Sequence, residues 1–170
     1  MATDALFVLD SNVLIDYCSA DSAVLTLASQ HVGPIHIPSV LLEEVDGLDE
    51  SECERLGLVV VEPDTSLIIA AGRRRSGLSF YDHVCLLTAK SAGWTCVTND
   101  GRLRRECGVE KVPVLWGLEL MLPLVKERHL TADGARVVAQ AIRSANPIYM
   151  TAEILRRFET RIARLGGGRK

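Results

Sequence analysis

Short apolar runs alternate with longer amphipathic stretches over the first two-thirds of the chain. Residues 6–9, 35–37, 58–61 and 112–116 are rich in Val, Ile and Leu, and Thr95-Cys96-Val97-Thr98 is rich in β-branched residues, the pattern of buried strands. Between them the spacing predicts helices. Asp10-Ser11-Asn12 are good capping residues, and Val13 opens a helix behind them. A second helix is expected over 22–31, closed by Gly33-Pro34. Residues 39–45 read as helical, 49–56 as a polar helix or loop, and 65–75 as a helix ending near Gly77. Ser79 caps a helix running to Ala92, and Asn99-Asp100 opens a short one. Everything beyond Gly117 reads as helix, with a break at Asn146-Pro147 and a frayed Gly-rich end from Gly166 to Lys170.

Strands alternating with helices imply an α/β fold, a doubly wound parallel sheet flanked by helices. The alternation stops near Gly117, so the expected organisation is an α/β domain over 1–117 and a C-terminal helical extension over 118–170 packed on it. In the extension, Ile154, Leu155, Phe158, Ile162 and Leu165 recur at helical spacing. Packing against the α/β body is the simplest use of that stripe; a homodimer contact or a partner groove is the alternative.

Composition narrows the class. No apolar run approaches the roughly 18–20 residues a membrane span needs, and no basic segment precedes the first strand. The five cysteines, Cys18, Cys53, Cys85, Cys96 and Cys107, are odd in number and lack CxxC spacing. They read as reduced thiols of a cytoplasmic protein, not as a disulfide frame or zinc site. Net charge is −3, which disfavours indiscriminate nucleic-acid binding, but the charge is uneven. Seven acids and no base lie between Glu43 and Glu54, whereas bases gather at Arg73-Arg74-Arg75, at Arg102, Arg104 and Arg105, and from Arg156 to the end. Solvated helix faces explain any one of these clusters.

Asp10 and Asp100 each follow an apolar strand directly. In open α/β sheets the ligand site lies beyond the carboxyl ends of the strands, where strand order reverses. Residue by residue, structural roles compete: Asp10 and Asp100 as helix N-caps, Asp82 as the partner of Ser79 in a capping box, Glu44 as a solvated acid. Whether the two strands are neighbours is not legible in sequence.

Four segments in order carry a resemblance. The run Phe7-Val8-Leu9-Asp10-Ser11-Asn12-Val13-Leu14-Ile15-Asp16 resembles the opening strand and helix of PIN-domain ribonucleases. Pro38-Ser39-Val40-Leu41-Leu42-Glu43-Glu44-Val45 is similar to their second element, Leu78-Ser79-Phe80-Tyr81-Asp82-His83 to their third, and Val97-Thr98-Asn99-Asp100-Gly101-Arg102-Leu103 to their fourth. The likeness covers residues 5–117. It implies metal-binding and catalytic roles for Asp10, Glu44, Asp82 and Asp100, with Asn12 and Thr98 in support. Glu44 is preferred to Glu43 on its spacing from Ser39 and Val40. Asp16, two turns along the helix, is expected to cap or face solvent. His83 stands where the family often has a small residue.

The implied activity is a metal-dependent endoribonuclease, and the VapC-type toxins of toxin–antitoxin pairs are the nearest small relatives, restrained by an antitoxin protein. A stand-alone RNA-processing protein, or a PIN-fold binding protein with little activity, are the alternatives. Clustered carboxylates repel unless a cation or a proton intervenes. All-oxygen donors without a Cys/His set point to Mg²⁺ or Mn²⁺, not Zn²⁺. Arg102, Arg104 and Arg105, within about one to one and a half turns of Asp100, are the expected RNA contacts. A haloacid-dehalogenase-type phosphatase would need an acid where Asn12 stands, and a receiver domain would need adjacent acids after the first strand.

Overall fold

The computed structural model describes residues 5–73 and 77–166; Arg74, Arg75 and the last four residues of the Gly-rich end lie outside them. The strands are short: Phe7–Leu9 (β1), Ile35–Pro38 (β2), Val59–Val61 (β3), Thr95–Val97 (β4) and Val114–Leu115 (β5). They form one five-stranded sheet in the order β3-β2-β1-β4-β5, with every pair parallel. The chain therefore builds outward from β1 in one direction and then returns to build outward in the other. The reversal falls between β1 and β4, where Leu9 stands opposite Val97.

Helices flank the sheet. Ser11–Ala20 (α1) and Ala23–His31 (α2) join β1 to β2, and a 3-10 turn, Ser39–Glu44, follows β2. Glu50–Leu56 (α3) precedes β3, Thr65–Arg73 (α4) and Phe80–Ala92 (α5) lie between β3 and β4, and Gly101–Val109 (α6) leads to β5. The central strands are mostly apolar because both faces are covered, with His36 and Thr95 the half-buried polar exceptions. Val8, Leu9, Ile35, Ile37, Cys96 and Val97 are wholly buried, and α5 lies against β1, β2 and β4. Gly93 ends α5 with a left-handed φ of 71°, a conformation that costs glycine nothing.

Beyond a second 3-10 turn, Gly117–Leu120, come Met121–Lys126 (α7), Ala132–Ala145 (α8) and Ala152–Gly166 (α9). Here α7 packs on α2, α8 on α1, and α9 on α7 and α8. Met121, Leu124, Ile142, Met150, Phe158 and Ile162 join the same apolar core as the sheet. The stripe expected on the last helix is used for that packing: Phe158 and Ile162 are buried, Ile154 and Leu155 half-buried, and only Leu165 is exposed. Among the described residues, no helix is long and apolar enough to cross a membrane. The five cysteines are free thiols.

Two expectations are corrected. The last strand is shorter than 112–116, because Trp116 already opens the 3-10 turn. Asp16 does not face solvent: it is 5% exposed and accepts hydrogen bonds from the side-chain amides of Asn99 (3.3 Å) and Asn146 (2.9 Å). The amphipathic pattern of α1 placed this acid on its face toward α8, where the amides compensate its burial.

Candidate active site

The reversal of strand order brings Asp10 beside the Thr98-Asn99-Asp100 turn. The sheet ladder continues one step past the strands, as Asp10 N–H donates to Val97 O at 3.1 Å. Asp10 is 2% exposed. One carboxylate oxygen, Oδ1, accepts from Asn12 N–H at 2.7 Å and caps α1; the other, Oδ2, accepts from Thr98 Oγ1 at 2.5 Å. Thr98 Oγ1 in turn accepts from Asp100 N–H at 3.0 Å. A single hydroxyl thus links the ends of β1 and β4 and orients both acidic residues. Asp100 caps α6, its Oδ1 accepting from Arg102 N–H at 2.7 Å and Leu103 N–H at 3.0 Å.

Asp82 enters from α5. It forms a capping box with Ser79, Asp82 N–H donating to Ser79 Oγ at 3.1 Å and Ser79 N–H to Asp82 Oδ2 at 3.0 Å. Capping and convergence are compatible, because each box or cap uses one carboxylate oxygen. Asp82 Oδ1 and Asp100 Oδ2 carry no hydrogen bond among the described residues. The Asp10 carboxyl is pushed up to about 7, chiefly by burial and in smaller part by the nearby charges of Asp82 and Asp100, against the hydrogen bonds from Thr98 and Asn12.

Glu44 reaches the site by a tether that sequence reading passed over. Ser11 Oγ donates to Glu44 Oε2 at 2.5 Å and holds the 3-10 turn against the start of α1. Its signal was present, a hydroxyl directly after the first acid, but as one of three cap-type residues it stood out only for capping. Glu43, the neighbour, instead accepts from Tyr81 Oη at 3.1 Å. His83 is buried in α5, with Nδ1 3.0 Å from Ser79 O. The imidazole therefore packs inward from the site and helps hold the turn that presents Asp82.

The arginines following Asp100 separate. Arg104 is half-buried, its guanidinium 3.6 Å from the centre of the Trp116 ring and its Nη1 donating to Thr98 O at 3.2 Å. It holds the turn carrying Asp100. Arg102 and Arg105 are exposed and share a small depression with Gly77 and Leu78. On the opposite side of the turn, Asn99 Oδ1 accepts from Gly117 N–H at 2.9 Å. A Cβ at Gly117 would stand 3.0 Å from the Asn99 amide, so the close approach requires glycine or a shift of that amide.

Among the described residues, no three His, Cys, Asp or Glu side chains are spaced to enclose a metal ion. The donor chemistry nevertheless fits a hard cation held from one side. The converging groups are carboxylates with open oxygens on Asp82 and Asp100, and Mg²⁺ ordinarily keeps several waters beside one or two carboxylates. Compared with protein-family models, curated proteins and solved structures, the chain matches none of the three.

Proposed function

We propose that this protein is a divalent-metal-dependent endoribonuclease with a PIN-like arrangement of its acids. The convergence of Asp10, Asp82 and Asp100 at the reversal of strand order, with Glu44 tethered alongside by Ser11, supports this function. A merely structural role for each acid would not require the caps of three different helices to meet. Asp82 and Asp100, each with one open oxygen, would hold Mg²⁺ or Mn²⁺ together with its waters, with Asp10 beside them and Glu44 at the rim. When bound, the cation supplies an activated water and charge stabilisation on the phosphoryl oxygens. Thr98 fixes Asp10 and the Asp100 backbone in one geometry, so little reorganisation is needed when substrate arrives. Arg102 and Arg105, exposed just past Asp100, are placed to meet flanking phosphates.

The test is cleavage of RNA by purified protein in chelator, in Mg²⁺ and in Mn²⁺. Cleavage is expected only with metal, and Asp10→Asn is expected to abolish it while the fold remains. Metal-independent cleavage, or wild-type cleavage by Asp10→Asn, would refute the assignment. A toxin of a toxin–antitoxin pair is the setting we favour, and an adjacent short gene for a DNA-binding antitoxin is the observation that would bear on it.

A further inference from the structure

A buried run of polar side chains joins the turn that carries Asp100 to the C-terminal extension. Asn99, directly before Asp100, is buried, and both ends of its amide are engaged. Its Nδ2 donates to Asp16 Oδ2 at 3.3 Å, and its Oδ1 accepts from Gly117 N–H at 2.9 Å. The other Asp16 oxygen, Oδ1, accepts from Asn146 Nδ2 at 2.9 Å. Asn146 closes α8. Its backbone N–H donates to Ile142 O at 2.8 Å, and its carbonyl accepts from Met150 N–H at 2.9 Å. The side chain therefore reaches α1 from a backbone held on both sides. Arg143 secures the same loop, its Nη1 donating to Pro147 O and Met150 O at 2.7 Å each. Tyr17, beside Asp16 on α1, donates from Oη to Gly117 O at 2.8 Å, so α1 also holds the residue that Asn99 accepts from.

We propose that Asn99, Asp16 and Asn146 are positioning residues through which the C-terminal extension fixes the place of the Asp100 carboxylate; the inference rests on the metal site of the nuclease function above. A carboxylate is a costly joint between two helices. An apolar side chain at position 16 would pack α1 on α8 without desolvating a charge. What Asp16 supplies is direction. It offers only an acceptor, and Gly117 N–H offers only a donor, so the Asn99 amide between them has one orientation. The flipped amide would set its NH₂ against the N–H and its oxygen against the carboxylate.

That orientation bears on the acids through the backbone. With its side chain locked at both ends, Asn99 holds its own peptide in place, and Asp100 begins one bond later. Asp100 Oδ1 is engaged in the cap of α6, so the open Oδ2 goes where the turn puts it. Thr98 secures the turn from the Asp10 side, and Asn99 secures it from the side of the extension. Groups one step behind a metal ligand set its orientation and hence the affinity of the site.

The test uses the full chain and Mn²⁺ alone, binding being read from the loss of the free ion's electron paramagnetic resonance signal. Asn99→Ala, Asp16→Asn and Asn146→Ala are each expected to bind Mn²⁺ about tenfold more weakly than wild type. Combining Asp16→Asn with Asn146→Asp gives Asn99 an acceptor again and pairs the new amide at position 16 with a carboxylate at position 146. Most of the lost affinity is expected to return in that double variant. Ile162→Val, in the buried part of α9, is expected to lose stability and keep wild-type affinity. All are compared at a temperature where their circular dichroism matches that of wild type. Wild-type affinity in Asn99→Ala and Asn146→Ala would overturn the proposal. A double variant that recovers nothing, or an equal loss in Ile162→Val, would overturn it too. RNA cleavage is scored separately: the expected Mn²⁺ pattern without cleavage removes the nuclease function and keeps the positioning role, and no Mn²⁺ binding by wild type removes both.

Discussion

Replacing Asp10 by Asn should make this protein more stable while silencing it. The Asp10 carboxyl is pushed up to about 7 from an ordinary 3.8, chiefly by burial. The native state therefore holds its proton more tightly than the unfolded chain does. Below pH 4 both states are protonated and the ionised form costs nothing. As pH rises from about 4 to about 7 the unfolded chain releases its proton first, and stability falls; above pH 7 the loss is complete. The gap between 3.8 and about 7 corresponds to about 4 kcal/mol. Asn removes that ionisation but disturbs one hydrogen bond. Thr98 Oγ1 now donates to Asp10 Oδ2 and accepts from Asp100 N–H. Facing an Asn amide, it must accept twice, and its own proton loses its acceptor at a cost of about 1–2 kcal/mol. The net expectation is a gain of about 2–3 kcal/mol at pH 8 in chelator. At pH 4 the gain should vanish or reverse. Urea unfolding of both proteins at the two pH values, with equal m-values, measures it. Mn²⁺ at pH 8 should stabilise wild type and narrow the difference, because the ion binds only the folded carboxylates. A pH-independent difference between the two proteins would refute this account of a buried, frustrated carboxylate.

Thr98→Val keeps the side-chain shape but removes the link between Asp10 and Asp100; cleavage should fall about tenfold to a hundredfold, with Thr98→Ser restoring most of it, both measured as initial rates on one RNA. Asp16→Ala should destabilise by about 2–4 kcal/mol in urea unfolding, because the Asn99 and Asn146 amides lose a shared acceptor; a loss under half a kcal/mol would show that water replaces it. Arg104→Ala should cost about 1–2 kcal/mol of stability, because the stacking on Trp116 and the hydrogen bond to Thr98 both go with the guanidinium. Arg105→Ala, at an exposed position, should leave the unfolding midpoint unchanged and lower only RNA affinity.

The order of strands and helices up to Gly117 was legible because each strand is a short, mostly apolar run and the helices carry their own punctuation, Asp10 before α1, Ser79 before α5 and Asp100 before α6, whereas the division of the extension into α7 and α8, capped by Thr131, was not read. These signals are local, so sequence carries them. The acids were legible as candidates for the same reason, since each sits at a strand end or helix start. What sequence could not decide was proximity. Asp10 and Asp100 lie ninety positions apart, and only the pairing of β1 with β4 puts Thr98 between them. Asp16 looked exposed because helical spacing locates a residue on a face but does not say what covers it; α8, more than a hundred residues later, does. Arg104 could not be told from Arg102 and Arg105 in a run of basic residues, and its commitment to Trp116 depends on where β5 delivers that ring. Propensity and patterning act over a turn of helix or a strand length, so the sequence alone sets the elements. Burial, desolvation and shared hydrogen bonds act across the assembled core, and only the tertiary structure decides which acids meet, which are buried, and which arginines remain free.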